Sequence, residues 1–199
     1  MINIWKLKII DKIILSRLPV DYRKWSSIGI FKHGEMDTYK YASKVLKNHY
    51  SQMNNNNARN WRGLEIGPGD GIFSSLLAST LNNGSLDLVD SGDFVNKDIR
   101  KYKEQIDNFK NTFPDINTSH MNFEDDLESL LFSVNSKYYS NGLNSLKKLE
   151  NKSYNLIFSQ AVFEHIRCSE FIRTIEECHR LLKRGGIMSH VIDFKDHLG

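Results

Sequence analysis

The chain has 199 residues, 40% of them hydrophobic, 26% charged and 11% aromatic, which excludes a disordered segment, a collagen-like repeat and a disulfide scaffold. Its 27 basic and 24 acidic residues leave a net charge of +3, too small an excess to predict a nucleic-acid partner. The length suits one domain, and the two cysteines, Cys168 and Cys178, fall in one predicted helix and read as reduced thiols of a cytoplasmic protein.

In chain order, residues 1–20 carry Ile9, Ile10, Ile13, Ile14 and Leu18, interrupted by Lys8, Asp11, Lys12 and Arg17. This is neither a secretory signal nor an integral membrane segment, which needs about 20 apolar residues. An amphipathic helix packed on its own domain is the simpler expectation, with a basic helix lying on a membrane surface as the alternative. Residues 51–60, with Asn54 to Asn57 in a row, form a polar linker. The expected organisation is therefore a helical N-terminal extension and linker over 1–60 and an α/β domain over 61–199.

From residue 61 onward short apolar strands alternate with helical stretches, the pattern of a parallel α/β sheet. Leu64, Glu65 and Ile66 predict strand one, followed by a helix carrying Phe73, Leu76, Leu77 and Leu81. Residues 86–90 predict strand two, and Ile99, Tyr102, Ile106 and Phe109 a helix closed by Pro114. Residues 116–121 are read as a weak third strand, with short helices at Leu127 to Leu131 and Leu143 to Leu149. Residues 154–159 predict strand four, buried on both faces through Leu156, Ile157 and Phe158. The next helix is capped by Ser169, lined by Phe171, Ile172, Ile175, Cys178, Leu181 and Leu182, and stopped by Gly185 and Gly186. Residues 187–192 predict strand five.

The chemistry concentrates in Glu65-Ile66-Gly67-Pro68-Gly69-Asp70-Gly71, which joins a strand to a helix where doubly wound folds bind nucleotide-like ligands. The third glycine comes one residue earlier than in the dinucleotide fingerprint G-x-G-x-x-G. Glu65 and Asp70 bracket the loop with negative charge, which repels a pyrophosphate and suits the ammonium and sulfonium of S-adenosylmethionine. A tight turn with no ligand is the bland alternative. Asp90, at the end of strand two, has the position of a carboxylate that accepts hydrogen bonds from ribose hydroxyls. Ser91 follows it toward the adenine.

These residues, with Tyr154-Asn155-Leu156-Ile157-Phe158-Ser159-Gln160-Ala161-Val162-Phe163-Glu164-His165 and Leu181-Leu182-Lys183-Arg184-Gly185-Gly186, resemble motif I, the fourth motif and the helix end before strand five of class I S-adenosylmethionine-dependent methyltransferases. Tyr139-Ser140-Asn141-Gly142-Leu143 and Ser189-His190-Val191-Ile192-Asp193-Phe194-Lys195-Asp196-His197 resemble more narrowly a bacterial subgroup found with surface-polysaccharide genes. The resemblance implies a Rossmann-like, doubly wound, mostly parallel sheet. It also implies S-adenosylmethionine held by Glu65, Gly67, Gly69, Asp70, Gly71, Asp90, Ser91 and Gln160. O-methylation of a small-molecule or glycan-type acceptor is the expected reaction. No Asn/Asp-Pro-Pro-aromatic motif follows strand four, which argues against DNA methylation.

Such sheets usually continue with two further strands, which this sequence does not contain. Strand five would then be an open edge, so a second copy or a partner chain is expected to cover it. A truncated, catalytically silent cofactor- or partner-binding domain is the rival reading, and a nucleotide-dependent oxidoreductase a lesser one. The expected catalytic groups are His197, His190 and Asp193 at the exit of strand five, with His165 after strand four. One imidazole would act as the general base. A divalent metal held by His190, Asp193, Asp196 and His197 is an open alternative, and no metal is assigned.

Overall fold

The strands of the sheet are β1 (Arg62–Ile66), β2 (Ser85–Val89), β3 (Tyr138–Tyr139), β4 (Tyr154–Gln160) and β5 (Leu182–Val191), in the order β3-β2-β1-β4-β5. Every pairing is parallel. The chain runs outward from β1 to β3 and then crosses back to place β4 on the other side of β1. This reversal opens a crevice at the carboxyl ends of β1 and β4, where doubly wound sheets bind their ligands. The computed structural model describes residues 38–53 and 58–194. All of these except Asp193 and Phe194 lie in one compact unit, His33–Ile192.

The central strands are apolar because helices cover both faces of the sheet. Leu64, Leu156, Ile157 and Phe158 are fully enclosed. On one face, helices α1 (Tyr39–Tyr50), α2 (Phe73–Ser79) and α3 (Ile99–Thr112) bring Leu46, Leu76 and Tyr102 against Leu86, Leu88 and Phe158. Leu130 and Leu131 of α4 (Leu127–Ser133) join the same core. On the other face, Leu146 of α5 (Gly142–Leu146) and Cys178 and Leu181 of α6 (Cys168–Leu181) cover Leu64 and Ile157.

Helix starts follow local chemistry. Thr38, Asp98 and Asp126 each accept a backbone N–H of the first turn of α1, α3 and α4, satisfying donors that have no partner within the helix. Helix α1 falls inside the segment expected to be a separate extension. Its Ala42, Val45 and Leu46 are nevertheless core residues of the sheet domain.

Four sequence expectations are corrected. Residues 116–121 form turns and irregular chain, and β3 is instead the two-residue Tyr138–Tyr139. What holds β3 is a buried Asp87 on β2. Asp87 accepts the Lys137 N–H at 2.9 Å, the Tyr154 hydroxyl at 2.8 Å and the Arg62 guanidinium at 2.7 Å. Gly185 and Gly186 do not stop the last helix; they bulge within β5, which starts at Leu182. The helix is not capped by Ser169, which lies in its first turn, and Ile172 is exposed rather than on the packed face.

Candidate functional site

The glycine-rich loop leaves β1 at the switch point and enters α2. Gly67 and Gly69 have φ of +71° and +70°, a region open to glycine at little cost. At Gly67 a side chain would also collide with a neighbour, since its Cβ would lie 2.5 Å from a Val162 methyl. The glycine is thus required by packing between the loops after β1 and β4. Val162 follows Ala161, a non-glycine residue at φ +53° whose N–H bonds the Val191 carbonyl at 2.8 Å.

Six of the expected cofactor residues lie here. The Gly67 N–H donates to the Val89 carbonyl at 2.8 Å, and the Gly69 N–H to Asp90 Oδ2 at 3.2 Å. The other Asp90 oxygen accepts the Ser91 N–H at 2.6 Å. Asp70 joins through its carbonyl, which accepts the Asn96 N–H at 2.8 Å. Gly71 is buried at the entry to α2. Sequence reasoning did not assign Gly142 to the site, although its N–H donates to the Asp90 carbonyl at 2.7 Å and a Cβ added there would lie 3.5 Å from the Ser91 Cα. The signal available was its place in the Ser140-Asn141-Gly142 turn.

Glu65 departs from its expected place. It does not flank the loop in solvent but is fully buried, on the sheet face covered by α2. One carboxylate oxygen accepts the Ser74 hydroxyl of the first turn of α2, and Oε1 has no partner. Burial pushes the carboxyl up to about 7, an effect the Ser74 hydrogen bond opposes and the nearby Asp90 charge reinforces.

On the other side of the crevice, β4 and β5 carry two histidine–serine pairs on opposite faces. His190 Nδ1 lies 2.9 Å from Ser159 Oγ, with its ring 4.1 Å from that of Phe163. On the α1 face, His49 Nδ1 lies 2.8 Å from Ser189 Oγ, and the ring stacks on Phe158 at 4.7 Å. Nε2 of each histidine is buried without a partner. Desolvation, helped by the charge of His49, pushes His190 down to about 4. Desolvation also lowers His49, against a raising effect from the Gln160 side chain.

His190 is therefore half-buried with its Nε2 shielded, not at an open strand exit. His165 is exposed in the 3₁₀ turn Phe163–His165. Asp193 lies outside the unit that holds the loop, and Asp196 and His197 are outside the described residues. His49 was missed entirely, because nothing in its local sequence marks it.

A wide concavity of about 1310 Å³ opens beside β3 rather than at the glycine loop. Its floor is the Arg62–Asp87 pair, a structural cluster that ties four strands together. Among the described residues no group of three metal-ligating side chains occurs, and no helix is long and apolar enough to cross a membrane.

The donor set fits a sulfonium cofactor better than a pyrophosphate. Glu65, with an orphaned oxygen buried beneath the loop, and Asp90, bonded to it, are both carboxylates. Residues 35–197 match the family model described as a methyltransferase domain. The chain belongs to this methyltransferase family. Its fold is the class I, Rossmann-like fold of S-adenosylmethionine-dependent enzymes.

No curated protein matches the sequence. Among solved structures, an arsenic(III) S-adenosylmethionine methyltransferase from Chlamydomonas reinhardtii is 17% identical, with a TM-score of 0.43 over 73% of this chain and 47% of that one. An S-adenosyl-L-methionine-dependent methyltransferase from Methanococcus maripaludis, described as putative, is 14% identical, with a TM-score of 0.42 over 79% and 56%. A phospholethanolamine N-methyltransferase from Haemonchus contortus is 16% identical, with a TM-score of 0.44 over 77% and 28%. The chain thus spans about half the length, or less, of these structures.

Proposed function

We propose that the chain binds S-adenosylmethionine on residues 67–71 and methylates the hydroxyl of a small-molecule or glycan-type acceptor in the cytoplasm. The observation that carries the reading is the joining of the glycine loop to Asp90 at the switch point, above a buried carboxylate with a free oxygen. S-adenosylmethionine, when bound, supplies a methyl group activated by its positive sulfur.

Within this reading Gly67, Gly69 and Gly71 offer backbone, Asp90 and Ser91 receive the ribose and adenosine end, and Gln160 closes the crevice from β4. Catalysis is mostly positioning of acceptor against methyl, with a base taking the proton that the hydroxyl loses as the oxygen–methyl bond forms. His190, held by Ser159 and pushed toward low pKa, suits a structural role. We assign the base to His197, with His165 and Asp193 as the further candidates. A second copy covering the outer edge of β5 completes the proposal.

Calorimetry with S-adenosylhomocysteine and with NAD tests the cofactor, and binding of NAD alone refutes it. His197→Ala should lower methyl transfer by about 10²–10⁴-fold with cofactor affinity intact. An unchanged rate would remove His197 from the mechanism.

A further inference from the structure

Among the described residues, Glu65 is a carboxylate with no neighbouring cation. It is the last but one residue of β1, and its side chain is sealed between the sheet and α2. The groups around it are neutral or negative. Ser74 approaches from α2, and Phe158 lies opposite it on β4, with His49 stacked beyond. Asp90 stands at the end of β2, and the loop above contributes Asp70. An ionised carboxylate here has lost its water and gained one hydroxyl, leaving Oε1 with nothing to bond. Such a group is retained at a cost to stability, which is avoided by protonation or offset by a positive charge brought to the loop.

We propose that Glu65 is a specificity-determining residue that ionises when the positively charged cofactor binds and thereby distinguishes S-adenosylmethionine from its demethylated product. This rests on the cofactor reading above. Substrate and product share the adenosine, amino and carboxylate groups, and they differ at sulfur, which is positive in one and neutral in the other. Binding the charged form favours carboxylate over carboxylic acid, so a proton leaves Glu65 for solvent as the complex forms. The neutral product draws off less of that proton, and its complex returns toward the protonated, more weakly attracting state. Product release is then assisted by proton uptake. The free carboxyl, raised to about 7, is still largely protonated in the pH range where the exchange would occur.

The test is calorimetry of both ligands between pH 5 and 7, below the α-amino range of about 7.7–8.0, in buffers of different ionisation enthalpy. The expected result is a larger proton release for S-adenosylmethionine than for S-adenosylhomocysteine. Its relative affinity should also rise with pH, by up to about 10-fold per unit that the cofactor lowers the Glu65 pKa. Glu65→Gln should flatten both differences. Equal proton release for the two ligands on the unaltered protein overturns the inference, even if the variant does not fold. Binding of neither ligand overturns the cofactor reading and this inference together, whereas binding without differential release overturns this inference alone.

Discussion

The two halves of the crevice bury titratable groups of opposite kind. Under the glycine loop it is a carboxylate, Glu65; on the two faces of the β4–β5 pair it is two imidazoles, His190 and His49. Desolvation drives each toward its neutral form, raising Glu65 from 4.5 to about 7 and lowering His190 from 6.5 to about 4. The stability consequences are mirror images. Glu65's contribution is fully present below pH 4.5 and is lost as pH rises through 7. His190's is fully present above pH 6.5 and is lost as pH falls through 4, and His49, also lowered, acts in the same sense. Between 4.5 and 6.5 the two slopes oppose. One physical cause, loss of water, thus gives the site both an acid limit and an alkaline limit, with a plateau between them.

The joint between the halves is the Gly67–Val162 contact, and breaking it should have the largest effect. Gly67→Ala places a methyl 2.5 Å from Val162 in a left-handed backbone. Overpacking and the conformational cost together should remove about 2–5 kcal/mol, measured by urea denaturation. Adding Val162→Ala should return the packing part and leave the backbone part. If the double variant is no more stable than Gly67→Ala, the contact is not what couples the loops.

Removing one arm of the titration should sharpen the contrast. Glu65→Gln abolishes the alkaline loss, so its stability relative to the unaltered protein should improve by on the order of 3 kcal/mol between pH 4 and 8. Thermal melts across that range check this. An unchanged difference between the two proteins would mean that Glu65 stays ionised throughout. A smaller and purely local effect is expected at the ribose carboxylate. Asp90→Ala should weaken S-adenosylhomocysteine by about 1–3 kcal/mol, roughly 5- to 150-fold, read by calorimetry. Unchanged affinity would show that Asp90 serves only to hold Gly69.

The half built around the glycine loop was legible because its parts are neighbours in sequence. Glu65 to Gly71 is one run, and Asp90 ends the next strand. What the residues alone could not reveal was that Glu65 faces inward, since that depends on α2 closing over it. The β4–β5 half joins His49 to Ser189 across 140 positions, and no local pattern links such residues. The strands show the same division. Those of five or more residues with aliphatic side chains were recognisable, while β3 has two tyrosines and is held by Asp87 from another strand. Residues 116–121 read as a weak strand, but they form turns and irregular chain. The start of β5 was hidden because paired glycines, which elsewhere end helices, here form a bulge.

The last and smallest effect separates the two histidines. Both rest on a single serine hydroxyl at Nδ1 and leave Nε2 unbonded, but they differ in enclosure. His49 is 1% exposed and lies flat on Phe158, whereas His190 is half-buried beside Phe163. Removing a serine hydroxyl costs most where water cannot take its place. Ser189→Ala removes the hydroxyl partner of His49 Nδ1 inside the core, and should cost about 1–2 kcal/mol at neutral pH. Ser159→Ala frees a ring nearer to solvent, which can accept a water, and should cost less than about 1 kcal/mol. Urea midpoints at unchanged slope measure both. Equal losses, or a larger loss for Ser159→Ala, would place the deeper of the two histidines on the α6 face instead, and would move the main source of the acid limit from α1 to β5.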